Sequence, residues 1–184
     1  VERSRGLGDV YKRQDLFSTN FSADTNTFLE SVGDGFFADR TAVRGLGVNS
    51  RPLLGWSAQF GDVDLDGDED LLFVNGHVYP QATPNTMGSA WAQPAVLMLR
   101  SFNRFVRDDT FPSPDEQGRL AVLFDADGDH DLDVVTVTRD GAVNLTTSAT
   151  LPKRGQGCTM RFPDILRGRR VHITSGETTQ VRWI

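Results

Sequence analysis

Six acids stand within nine residues at positions 62–70: Asp62, Asp64, Asp66, Asp68, Glu69 and Asp70, with Gly67 among them. Counted from Asp62, carboxylates fall at positions 1, 3, 5 and 9, a glycine at 6 and a backbone carbonyl at 7. This is the spacing by which one tight loop wraps a hard cation in oxygen ligands. Without a cation the acids repel one another and oppose the turn; a bound Ca²⁺ removes that penalty. In a helix–loop–helix calcium site a bidentate Glu follows at position 12 and a helix continues from it. Here position 12 is Phe73, inside the apolar run Leu71-Leu72-Phe73-Val74, so the loop feeds a strand.

The pattern returns 63 residues later, with Asp125, Asp127, Asp129, Asp131 and Asp133 at positions 1, 3, 5, 7 and 9, followed by Val134-Val135-Thr136-Val137. The flanks repeat as well: Gly55-Trp56-Ser57-Ala58-Gln59-Phe60 aligns with Gly118-Arg119-Leu120-Ala121-Val122-Leu123. An internal repeat of this length sets the architecture before any single residue does.

At 184 residues the chain holds about three such units. Its formal charge is −6, yet the six and five acids of the two loops leave only 14 of the 25 against 19 Lys and Arg. The acidity is therefore local, which points to a cation and not to an acidic tail or a basic partner. Cys158 is the single cysteine, so no intrachain disulfide forms and the redox compartment cannot be read that way. No apolar run approaches the roughly 18 residues of a membrane span.

Asp15-Leu16-Phe17-Ser18-Thr19-Asn20 reads like Asp70-Leu71-Leu72-Phe73-Val74-Asn75, position 9 of a loop and its strand, but residues 7–14 offer only Asp9 as a carboxylate. Residues 1–14 are basic without an apolar core and are expected to be a non-native tail. Strands are expected at 27–32 and 36–39 around a turn at 33–35, at 53–60, and at 95–100 and 104–107 around a turn at 101–103. Each unit thus reads as four short antiparallel strands with a calcium loop between the first two and no amphipathic helix of useful length. Four-stranded units in tandem are blades of a β-propeller.

GDVDLDGDEDLLFVNG and FDADGDHDLDVVTVT resemble the FG-GAP/VCBS repeats of integrin-α-like propellers. The order of DLFSTNFSADTNTFLE, GWSAQFGDVDLDGDEDLLFVNGHVYP and GRRVHITSGETTQVR is similar to bacterial proteins related to cartilage acidic protein, which end in an ASPIC/UnbV domain. The resemblance covers residues 15–138 and about 166–184, and 147–163 match poorly. It implies an all-β chain: propeller blades over 15–150, then the start of a small β-rich ASPIC/UnbV-like domain over 151–184, as an internal piece of a larger secreted protein whose remaining blades lie elsewhere. It also implies the ligands. Asp62, Asp64, Asp66 and Asp70 would give side chains and Asp68 its carbonyl, and likewise Asp125, Asp127, Asp129 and Asp133 with the carbonyl of Asp131. His130 replaces the glycine at position 6, where φ > 0 is needed, so the second site is expected to bind more weakly.

Other features carry a plainer reading. Asn75-Gly76-His77-Val78-Tyr79-Pro80 holds a His and a Tyr suited to acid–base work, but nothing pairs with them and a structural turn is favoured. Trp56, Trp91 and Trp183 read as packing rather than a sugar platform. His172, between Val171 and Ile173, reads as a surface position on a strand, and Arg161, Arg167, Arg169 and Arg170 as a solvated face and not a nucleic-acid contact. Asn20-Phe21-Ser22 and Asn144-Leu145-Thr146 match a glycosylation tripeptide that is common by chance.

The expected function is a calcium-stabilised extracellular binding or adhesion module, non-catalytic, with an unknown protein or carbohydrate ligand, no nucleic acid and no membrane span. The alternative is a blade segment of a propeller lyase or glycosidase acting on polysaccharide. That needs convergent carboxylates, His, Tyr or Arg outside the calcium loops, and the remaining acids are scattered. A dockerin-like module would need closer loops followed by helices. An arc of about three blades leaves an apolar face at each end and is expected to aggregate or fold marginally when expressed alone.

Overall fold

A computed structural model describes residues 14–148, 170–175 and 178–183. Within them the chain is all-β. The first sheet joins β1 (Leu16–Ser18), β2 (Thr27–Gly33) and β3 (Phe36–Asp39) in that order; the second runs β4 (Gly55–Gly61), β5 (Asp70–Asn75), β6 (Val96–Ser101) and β7 (Arg104–Arg107). The third has the order β10-β9-β8, from β8 (Gly118–Phe124), β9 (Asp133–Thr138) and β10 (Val143–Thr146), and β11 (Arg170–Ser175) pairs with β12 (Thr178–Trp183). Every pairing is antiparallel.

The apolar run after the first acidic loop explains how these sheets stack. All of β5 is buried, and a strand alternates its side chains between two faces. Leu71 and Phe73, with their cross-strand partners Met98 and Val96, pack toward the first sheet on Phe28, Leu46, Leu53 and Phe105. Leu72 and Val74, with Leu97 and Leu99, pack the other way on Ala121 and Val134 of the third sheet and on Val63 of the loop. A strand covered on both faces shows a continuous apolar run instead of alternation. Each fully buried side chain of this kind stabilises by about 1.5–3 kcal/mol. Edge-on aromatic contacts reinforce the first interface, with Phe28 5.9 Å from Phe105 and Phe17 6.3 Å from Phe60.

Two glycines permit the close approach of neighbouring sheets. A Cβ on Gly55 would lie 2.6 Å from the Cβ of Thr19, and one on Gly118 would lie 3.0 Å from both the Asn75 carbonyl and the Val74 Cβ. Gly55 also donates its N–H to the Asn20 carbonyl at 3.1 Å. The aligned start of β4 and β8 is thus a packing requirement.

The strand expected at 53–60 begins instead at Gly55, because Leu53 closes a turn onto the Ser50 carbonyl and the Leu54 N–H is taken by Gln93 Oε1 at 2.8 Å. The connections hold two single helical turns, α1 (Gly47–Ser50) and α2 (Pro84–Met87). Thr83 caps α2 by accepting the Thr86 N–H at 3.2 Å, and Gly88 ends it at φ 69°. The far face of the third sheet carries two apolar rows, Leu120-Val137-Val143 and Val122-Val135-Leu145, and Leu120, Val143 and Leu145 on it are exposed. Residues 1–13 of the expected tail at 1–14, Cys158, and Arg161, Arg167 and Arg169 lie outside the described residues; of Arg170, His172 and Trp183 only the strand placement is described. Among the described residues, no helix is long and apolar enough to cross a membrane.

Candidate metal centres

Both acidic loops join the first two strands of a sheet: residues 62–69 lie between β4 and β5, and 125–132 between β8 and β9. Side chains turn each loop on itself. The Asp62 carboxylate accepts the N–H of Gly67 at 3.0 Å, Asp64 that of Asp66 at 3.2 Å, and Asp66 that of Asp68 at 3.0 Å. The second loop repeats the set: Asp125 accepts from His130 at 3.0 Å, Asp127 from Asp129 at 3.2 Å, and Asp129 from Asp131 at 3.0 Å. The bonds that reach two residues on are aspartate turns, which explain the alternation of Asp along each loop.

Position 9 does something the spacing did not reveal. Asp70 Oδ2 accepts the N–H of Val63 at 2.9 Å and its Oδ1 that of Arg100, at the end of β6, at 2.8 Å. Asp133 does the same to Ala126 at 2.7 Å and Ser148 at 2.6 Å. Asp15, whose loop lacks the acid series, still accepts the N–H of Ser31 at 2.9 Å. At all three places the position-9 carboxylate accepts a backbone N–H from farther along the chain, and at Asp70 and Asp133 it also holds the acidic loop.

Two clusters could hold a metal ion. Asp62, Asp64 and Asp70 bring carboxylate oxygens within 4.8 Å of one another, as do Asp125, Asp127 and Asp133. Asp66 and Asp129 stand outside those groups, and Asp129 Oδ2 accepts the Ser148 hydroxyl at 3.0 Å. Asp68 is exposed and Asp131 half-buried. The first cluster is the drier: Asp64 and Asp70 are fully buried, and Asp62 Oδ1 is buried with no hydrogen-bond partner. In the second, Asp133 is buried but the Asp125 side chain keeps 30% of its exposure.

Electrostatics follow burial. Burial raises the Asp62 carboxyl above its ordinary range, opposed by the Gly67 N–H and assisted by the charge of Asp66. Burial likewise pushes Asp70 up to about 7, against the N–H groups of Arg100 and Val63 and with the nearby charge of Asp64. Carboxylates crowded and dehydrated in this way are uncomfortable as anions by themselves. An orphaned buried oxygen and an all-oxygen donor set fit a hard divalent cation, which these residues would hold.

Position 6 alone does not distinguish the two loops. His130 takes φ 73° and Gly67 φ 93°, as expected, but position 4 is left-handed too, with Leu65 at φ 62° and Gly128 at φ 84°. Each loop therefore has one glycine and one strained residue. Backbone strain does not rank the second site below the first, since His is the better tolerated of the two in this region. The aligned glycine at position 128 was the signal available in the sequence. His130 also sets its Nδ1 3.6 Å from Asp125 Oδ2.

His77 is buried, edge-on to Phe21 at 5.5 Å. Its Nδ1 accepts the Tyr79 N–H at 3.1 Å, which leaves the ring proton on Nε2, 3.4 Å from the Ser22 hydroxyl. Asn20 spends its amide on the Thr25 carbonyl and Thr27 hydroxyl, and Asn144 spends its own on Glu116. Trp56 is 43% exposed and carries Arg119 on its ring, whereas Trp91 is half-buried.

Neither a scan against protein-family models nor a search of the curated proteins finds a match for this chain.

Proposed function

We propose that this chain is a calcium-stabilised binding or adhesion module built from β-propeller blades, working outside the cell and without catalysis of its own. The observation that carries the reading is the buried carboxylate cluster of Asp62, Asp64 and Asp70, with Asp62 Oδ1 left without a hydrogen-bond partner at the mouth of a strand. Asp62, Asp64 and Asp70 would hold one Ca²⁺, and Asp125, Asp127 and Asp133 a second. A bound cation supplies positive charge where the loop is most crowded. The aspartates do the rest: Asp70 fastens the first loop to β6, and Asp133 fastens the second to Ser148, just past the end of β10. The face-to-face stacking of three sheets supports blades, and the sequence motifs support the FG-GAP/VCBS resemblance.

Extracellular calcium modules bind at about 10⁻⁴–10⁻³ M, so such sites fill outside a cell and empty in a cytosol. The enzyme alternative is less well supported, since His77, the best acid–base candidate of the sequence, is buried and engaged on both ring nitrogens.

Thermal unfolding in millimolar Ca²⁺ and in chelator tests the proposal, on the wild type and on Asp62→Asn combined with Asp125→Asn. We expect Ca²⁺ to raise the melting temperature of the wild type and not of the double variant. A folded chain whose melting ignores Ca²⁺ would mean that the loops are acidic turns only.

A further inference from the structure

At the end of the sheets away from the acidic loops, a cleft of about 550 Å³ opens between the connection into β6, the segment entering β8 and the β9–β10 turn. Its size falls within the range of small-ligand sites, roughly 300–1,000 Å³. Its walls are fastened together. Gln93 and Glu116 exchange backbone hydrogen bonds at 2.8 and 3.1 Å, the Arg139 N–H donates to the Gln117 carbonyl at 2.8 Å, and the Gln117 amide donates to the Trp91 carbonyl. A cleft held in this way binds without first having to be ordered.

The lining combines one indole with polar groups of both signs. Trp91, read from the sequence as packing, forms part of the wall, with its Nε1 buried and without a hydrogen-bond partner. Asp140 is oriented by the Thr138 hydroxyl, which holds its carboxyl below the usual range, and Glu116 is oriented by Asn144 at 2.7 Å. Asp115 and Arg139 are exposed at the rim, where the Arg139 charge acts on Asp140.

We infer that this cleft is a binding site for a neutral saccharide. Hydroxyl groups both donate and accept, so one ring can satisfy oriented carboxylates and a guanidinium together, while its C–H face lies on the indole. A phosphate or uronate would meet three carboxylates, and a lysine side chain would leave the Arg139 donors unused, whereas a polyol serves both signs. The inference gives a ligand class to the binding module proposed above and rests on that reading only for there being a ligand. None of the cleft residues belongs to either acidic loop.

Isothermal titration of the full chain in millimolar Ca²⁺ with cellohexaose, maltohexaose and chitohexaose tests it. At least one is expected to bind with Kd below about 1 mM. Asp115→Asn combined with Arg139→Gln should weaken that binding by about tenfold or more with the melting temperature unchanged. Binding by none of the three at about 10 mM overturns the inference, as does undiminished binding to the double variant or preference for a lysine-rich peptide over all three. Failure of the calcium proposal reads out separately, as a melting temperature indifferent to Ca²⁺.

Discussion

Asp70 bonds the backbone of Arg100, thirty residues downstream, at 2.8 Å, and with its second oxygen holds Val63 at 2.9 Å. One carboxylate thereby joins the acidic loop, the strand that follows it and the third strand of the sheet. The Asp133–Ser148 and Asp15–Ser31 bonds likewise reach a backbone N–H remote in sequence, just past β10 in one case and within β2 in the other. Asp15→Ala should then cost about 1 kcal/mol, the net worth of one such bond, and leave the response to Ca²⁺ intact. Asp70→Ala, at a fully buried position, should cost several times more and abolish binding at the first site. Chemical denaturation with and without Ca²⁺ distinguishes the two; equal losses in both variants would deny Asp70 its second role.

Burial raises Asp70 to about 7, above the ordinary 3.8 of a free Asp. Between those values the folded, metal-free chain holds a proton that the unfolded chain releases, so this group's stabilising share is complete below the lower value and lost as pH rises through the upper. Melting in chelator is expected to fall between pH 5 and pH 8, while the increment given by Ca²⁺ grows over the same window, because a cation favours the anion. Asp70→Asn should flatten the chelator profile. A profile in chelator that rises toward pH 8 would contradict the assignment.

The two loops should differ in affinity because of burial and not because of backbone strain. Asp64 and Asp70 are buried, but Asp127 is exposed, so a cation relieves more crowding in the first loop and should bind it more tightly. Leu65→Gly and His130→Gly each release a left-handed non-glycine residue and should each stabilise the folded chain by roughly 0.5–1 kcal/mol, with the unfolded-state cost of glycine setting the lower end. Calorimetry on Asp62→Asn and Asp125→Asn isolates one site at a time; equal constants would refute the burial argument.

Much of this was legible in advance because the signals were local. The turns at 33–35 and 101–103 and the strands beside them follow from glycine, polar residues and apolar alternation, and the structure places β2, β3, β6 and β7 within a residue of expectation. The acidic loops were visible by spacing. The role of Asp70 was not, since Arg100 is remote in sequence and contributes only a backbone N–H, which any residue could supply. Leu65 was missed for a related reason: a leucine gives no hint of a left-handed turn unless Gly128 is read as its counterpart. The late start of β4 depends on Gln93, which reaches Leu54 from another connection. The cleft is lined from three segments that only folding brings together.

Trp56 and Arg119, which occupy aligned positions at the starts of β4 and β8, meet in space: the Arg119 Cζ sits 4.3 Å from the indole centroid. The guanidinium donates to the Gly118 carbonyl at 2.7 Å and to Gln117 Oε1 at 3.1 Å, and the Trp56 Nε1 donates to the Gly76 carbonyl at 2.8 Å. Burial and the neighbouring charge of Arg139 lower the Arg119 pKa, but a guanidinium stays charged at any physiological pH. The stack therefore links the second and third sheets through a cation on a ring. A double-mutant cycle with Trp56→Leu and Arg119→Met should give a coupling of about 0.5–2 kcal/mol. Arg119→Lys should recover little of it, because an ammonium cannot lie flat on the indole while reaching both acceptors. Additive single losses, with no coupling, would show that each residue packs independently and that the sheets are held by their apolar faces alone.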